Sequence, residues 1–149
     1  MTSYSTVEGL WLTRLQAMSQ FTTANSTRGK WGIRNTGNSA QYAILKPGTY
    51  TRTWSAMTLR EDTYQTIIQV WQRYKDDGTT MTNLEALVDA ILAEMDKHIN
   101  LGDAATVTYA DIVAVREMQE ILDAPGGGPI WLMVELVGET HVQTQITFT

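Results

Sequence analysis

The chain carries two histidines, His98 and His141, and no cysteine. Without thiols, disulfides, thiolate catalysis and cysteine-ligated zinc are excluded together. His98 follows Glu94 by four residues, one helical turn, where an imidazole and a carboxylate meet on a surface and the helix dipole favours a cation. A metal would need further converging ligands, and the neighbouring residues offer none. His141 stands in a polar, strand-like stretch without a local partner. Asp76/Asp77 and Glu85/Asp89 read as a turn and a solvated helix face; paired carboxylates for acid–base work need a cleft and raised pKa values. Gly126-Gly127-Gly128 runs into Pro129 and a strand, so it reads as a hairpin loop, and Gly29-Lys30 lacks the rest of a phosphate loop. No Gly-x-Ser-x-Gly elbow is present. These residues assign no catalytic, cofactor-binding or metal site, and the expectation is a protein that is not an enzyme and holds no cofactor. The alternative from another class is a small α+β enzyme or ligand-binding module, with its pocket between a helix over 82–101 and a sheet.

Basic and aromatic residues interleave in two places: Arg52 and Trp54 with Arg60, and Trp71 with Arg73. For single-stranded nucleic acid this is a weak stacking platform. The balance of 11 basic against 16 acidic residues, net charge −5, argues against wrapping a polyanion. A protein–protein edge fits better, and five tryptophans supply side chains favoured at such contacts. Arg28, Lys30 and Arg34 make residues 19–40 the most basic part of the chain, a long polar loop of the kind that is often functional. Arg28, Lys30, Trp31, Arg52, Trp54 and Arg73 are therefore the expected subunit or partner contacts. No apolar run approaches the roughly 18–20 residues that span a bilayer, so no membrane partner is expected. The start, Met1-Thr2-Ser3-Tyr4, shows no signal peptide.

Positioning these residues falls to two helices and a set of strands. Leu84, Leu87, Val88, Ile91, Leu92, Met95 and Ile99 share one face of a helix over 82–101. Thr82 with Glu85 forms a capping box, and Gly102 supplies a left-handed stop. A first helix over 5–18 buries Val7, Leu10, Trp11, Leu15 and Met18, capped by Ser5 with Glu8. Strands are expected at Gln41–Leu45, at Tyr50–Arg60 after a Lys46-Pro47-Gly48 turn, and at Tyr64–Tyr74, closed by an Asp76-Asp77-Gly78 turn. The second half of Thr106–Met118 reads as a strand, as does Ile130–Gly138, with the alternation resuming over His141–Phe148. The order is α-β-β-β-α-β-β. The fold class is α+β: one domain over 1–149, with two α-helices packed on one face of a mixed or antiparallel sheet.

This layout resembles the tail terminator, or tail-completion, proteins of long-tailed bacteriophages. The resemblance rests on the Val7-Glu8-Gly9-Leu10-Trp11-Leu12 helix, Tyr42-Ala43-Ile44-Leu45-Lys46-Pro47-Gly48 and Thr66-Ile67-Ile68-Gln69-Val70. It also takes in the Leu84–Ile99 helix and Trp131-Leu132-Met133-Val134-Glu135-Leu136. It is one of architecture and cadence, without a diagnostic motif. It implies a structural virion protein that assembles in the host cytoplasm as a homohexameric ring. The ring caps the head-proximal end of the tail tube, ends its polymerisation and joins it to the neck. Its implied partners are its own copies, the tail tube protein, a neck or head-completion protein, and DNA that passes the lumen without specific binding. A neck or head-closure adaptor and a tail tube subunit are alternatives of the same class.

Overall fold

The computed structural model describes residues 2–28, 39–122 and 130–147. Lys30 and Trp31, and the Asp123–Pro129 turn, lie outside the described residues. Two helices, α1 (Tyr4–Gln16) and α2 (Asp77–Lys97), accompany β1 (Ser26–Arg28), β2 (Gln41–Ala56), β3 (Leu59–Arg73), β4 (Tyr109–Val115), β5 (Gln119–Leu122) and β6 (Ile130–Gln145). The sheet runs β1-β2-β3-β6-β4, with β5 also on β6. β1 is parallel to β2 and every other pairing is antiparallel, so the fold is α+β with a mixed sheet.

Both helices lie on one side of it. Val7, Trp11 and Leu15 of α1 and Leu84, Leu87, Val88, Ile91 and Met95 of α2 share one core with Ala43, Leu45, Ile68, Val70, Val134 and Leu136. At its centre Trp11 crosses β6 at Gly138, where a Cβ would come within 2.8 Å of the indole. Glycine in a strand interior is explained here by close approach. A smaller cluster, Tyr42, Ile44, Trp71, Trp131 and Met133, forms on the opposite face, so the middle strands are apolar on both sides.

Both helix starts differ from the expected ones. α1 is capped by Ser3, whose Oγ accepts from the Thr6 N–H at 3.2 Å, and not by a Ser5–Glu8 box. The earlier start brings Tyr4 into the helix and against Tyr50 and Tyr64, at 6.2 and 5.4 Å between ring centroids. Glu8 is buried. α2 is capped by Asp76, which accepts from the Thr79 N–H at 2.8 Å. What read as an Asp-Asp-Gly turn is therefore the helix start, and Thr82 lies inside the helix. The Thr79 backbone and hydroxyl donors hold the Asp76 carboxyl below its usual range. α2 ends at Lys97, and left-handed Leu101 (φ 55°) and Gly102 (φ 82°) close a following turn.

The strands are longer and fewer breaks occur than expected. Lys46-Pro47-Gly48 does not turn: β2 passes through it with a bulge between Pro47 and Tyr50. Among the described residues β1 reaches only to Leu45, which leaves Pro47 at an edge, where proline is tolerated. The expected strand over 50–60 instead folds back at Met57–Thr58, and β3 absorbs its end together with 64–73. β6 likewise runs unbroken through Gly138–His141, because β3 pairs with it from Arg73↔Trp131 to Leu59↔Gln145. Part of the 19–40 segment is built in: Phe21 is fully buried, and β1 adds a parallel strand.

Candidate functional site

Beyond the helices the sheet continues as an arm formed by the outer halves of β2 and β3 with the end of β6. Every residue from Thr51 to Thr58 is exposed. The bulge after Pro47 inverts the alternation of β2, so Tyr50, Arg52 and Trp54 face the helix side, opposite Tyr64, Asp62 and Arg60. Asp62 is the hub of this surface, its side chain only 4% exposed. The Tyr50 hydroxyl donates to its Oδ1 at 2.7 Å, Arg52 Nε donates to the same oxygen at 3.1 Å, and Arg60 binds Oδ2 at 3.1–3.2 Å. Arg60 lies 6.0 Å below the Trp54 ring centroid. Trp54 is 50% exposed and Met57, at the tip, 84%.

The sequence-derived contact residues do not form one patch. Arg52 and Trp54 sit together on the arm. Arg73 lies at the other end of β3 and on the opposite face, roughly 35 Å along the strand from Asp62, with its guanidinium 5.2 Å over the Trp131 ring. Its Nε and the Trp71 and Trp131 indole N–H groups are buried without an acceptor among the described residues. Arg28 is engaged within the subunit, 3.6 Å from Glu8 and donating to the Ser5 carbonyl at 3.3 Å.

His98 meets Glu94 at 3.3 Å, the expected surface pair, and its Nδ1 accepts from Arg14 at 3.2 Å. His141 is different from its sequence reading. It stacks on Tyr109 at 4.0 Å and lies 3.0 Å from Glu61, 3.2 Å from Thr63 and 3.8 Å from Glu139. Tyr109, Glu61 and Thr63 come from neighbouring strands, so no local sequence signal could have shown them, whereas Glu139 lies two residues earlier on the same strand. Among the described residues, no three His, Cys, Asp or Glu side chains converge as metal ligands.

Glu135 organises the open face. It accepts from Gln69 at 2.9 Å and Arg116 at 3.0 Å and lies 3.6 Å from Lys46. Burial alone would raise its pKa, but the Gln69 and Arg116 hydrogen bonds with the Lys46 and Arg116 charges outweigh this and hold it below the ordinary 4.5. A carboxylate depressed by folding stabilises the folded state above the unfolded pKa, and that stability is lost as pH falls through the lower folded value. Urea titrations at about pH 6 and about pH 3 should therefore differ less for Glu135→Gln than for the parent chain. An unchanged difference would show that Glu135 plays no part in acid unfolding.

The second exposed apolar surface is the far edge of the sheet. Tyr109, Val113 and Val115 of β4 are exposed, and after the Ala110 N–H, taken by the Ile99 carbonyl at 2.5 Å, β4 pairs only with β6 among the described residues. Between this edge and the end of α2 lies an open cleft of about 280 Å³, lined by Met95, Asp96, Ile99, Tyr109, Ala110 and Asp111. A shallower hollow of about 420 Å³ beside the start of α1 is lined mainly by threonine and glutamine side chains. Core side chains occupy the middle of the layer between α2 and the sheet, and hollows remain at its margins. No described helix is long and apolar enough to cross a membrane. No family model matches the chain, and no curated protein matches it.

Proposed function

We propose that this chain is a structural assembly subunit, a tail terminator that caps the head-proximal end of a phage tail tube, ends its polymerisation and joins it to the neck. The observation that carries the reading is the arm. The outer half of β2, exposed from Thr51 to Thr58 with an aromatic ring and a methionine toward its end, is costly for an isolated domain and useful for an assembling one. The resemblance of the helix and strand segments to tail terminators supplies the particular assembly: a hexameric ring in the virion. The chain's own chemistry is then adhesion, with the α2 layer stiffening a sheet whose margins meet neighbours.

Purified protein mixed with isolated tail tubes should appear in electron micrographs as a cap on one end. Long tubes formed by the protein alone would support a tube subunit instead, the reading that the open strand edges also favour. Binding to isolated necks with no affinity for tube ends would support a head-closure adaptor. A protein that joins neither would overturn the assembly reading.

A further inference from the structure

We infer that the partner of the arm is a second copy of this chain, which receives Trp54 in the cleft between β4 and the end of α2. The inference rests on the assembly reading above and adds to it the surfaces that meet.

Among the described residues the sheet is open on both sides. From Tyr50 to Ala56, β2 pairs only with β3 among the described residues, and β4 is a 7-residue edge of matching length on the other side. An unpaired edge is a template for another strand. Neither stretch contains proline or lysine, the usual deterrents; the protective feature of β4 is its bulge at Val113. Strand direction is also compatible. Three antiparallel steps separate β2 from β4, so the two run in opposite directions. Rotation about an axis along the strands preserves direction, and β2 of one copy would lie antiparallel to β4 of the next.

The faces agree as well. Trp54 and Arg52 project to the helix side of the sheet, the side on which α2 and the turn after it place Met95 and Ile99 beside β4. Ile99 is 63% exposed. The charges are complementary: Arg52 is the one charged residue among the exposed residues 51–58, and Asp96 lines the cleft on the helix side. An aromatic anchor seated in a pocket with a charged rim is the usual anatomy of a contact that carries affinity. The two surfaces differ from each other, so the contact is head-to-tail, and repetition closes a ring if the rotation permits.

The test uses the full chain alone, measured by sedimentation over a concentration series. Trp54→Glu sets a carboxylate against the acidic cleft, and Ile99→Lys sets an ammonium against Arg52. Each should weaken self-association roughly tenfold or more. The two changes in one chain should restore most of it through a new Glu–Lys pair. Both positions are exposed, and unchanged circular dichroism confirms folding. Trp54→Ala, which adds no charge, should give the same loss. Single variants that associate like the parent, or a double variant without recovery, would overturn the inference. So would a parent chain that stays monomeric at every concentration. Capping of tube ends is scored separately, so an arm that fails here while caps still form removes this contact and leaves the proposed function standing.

Discussion

Replacing Trp11 by alanine should lower the unfolding free energy by about 4 kcal/mol, seen as a shift of the urea midpoint without a change of slope. The indole is completely buried, and its Nε1 donates to Thr140 Oγ1 at 2.8 Å across the layer from α1 to β6. Truncation removes a large apolar contact, leaves a cavity, and strands a fully buried threonine hydroxyl without its donor. Gly138 tests the same contact from below. Gly138→Ala puts a methyl group within 2.8 Å of the ring, and neighbouring ring atoms lie at 3.0 and 3.2 Å, so the indole must move. The expected cost is about 2 kcal/mol. The two changes should not add: in the Trp11→Ala background the methyl group enters vacated space, and Gly138→Ala should cost much less or even recover stability. Equal cost in both backgrounds would show that the approach of Trp11 is not what keeps position 138 free of a side chain.

Elements with a strong period were legible in the sequence. Leu84, Leu87, Val88, Ile91 and Met95 do face the core, and Ile130–Gly138 does form a strand. The failures occurred where one residue type serves two purposes. Asp76-Asp77-Gly78 has the composition of a turn, yet a carboxylate before a free backbone N–H is also a helix cap, and the cap prevailed. Pro47-Gly48 has turn chemistry too, but within β2 it produced a bulge. That bulge sets the face of Arg52 and Trp54, and nothing near them in sequence reports it. The candidate site was harder still. Arg52 and Trp54 were legible as an exposed basic and aromatic pair. The cleft that would receive them joins Met95 and Ile99 to Tyr109 and Asp111, and no periodicity brings those segments together. His141 shows the same limit, since Glu61 and Tyr109 reach it only through strand register.

The arm also places scaffold and surface in the same residues. Arg52 is 42% exposed, yet its Nε is shared between Tyr50 and Asp62. Arg52→Glu would set a second carboxylate beside a buried one, so any loss of assembly would mix with loss of local order. Trp54 is the cleaner probe, because its ring lies above Arg60 without a hydrogen bond to the cluster.

Asp62→Ala should loosen the arm while sparing the helices. The substitution removes the carboxylate shared by Arg52, Arg60 and the Tyr50 hydroxyl. Arg60, largely buried, is then left as a desolvated cation with no counter-charge, and Tyr50 loses its acceptor. Breaking a buried pair from one side costs about 3 kcal/mol, because the remaining charge keeps its desolvation penalty. Apart from the ladders that β3 makes with β2 and β6, little covers this part of the sheet, since Thr51–Thr58 are exposed. The cost should therefore appear as local opening. Amides of the outer β2 and β3 should exchange about a hundredfold faster, the factor that 3 kcal/mol implies, while the Leu84–Met95 amides of α2 keep their protection. Asp62→Asn, which retains an acceptor but not the charge, should fall between. Replacing Arg60 and Asp62 together by leucine should cost less than Asp62→Ala alone, because no unpaired charge remains buried. If the double replacement opened the arm further than Asp62→Ala, the cluster would be stabilising through its ion pairs themselves and not merely avoiding an orphaned guanidinium.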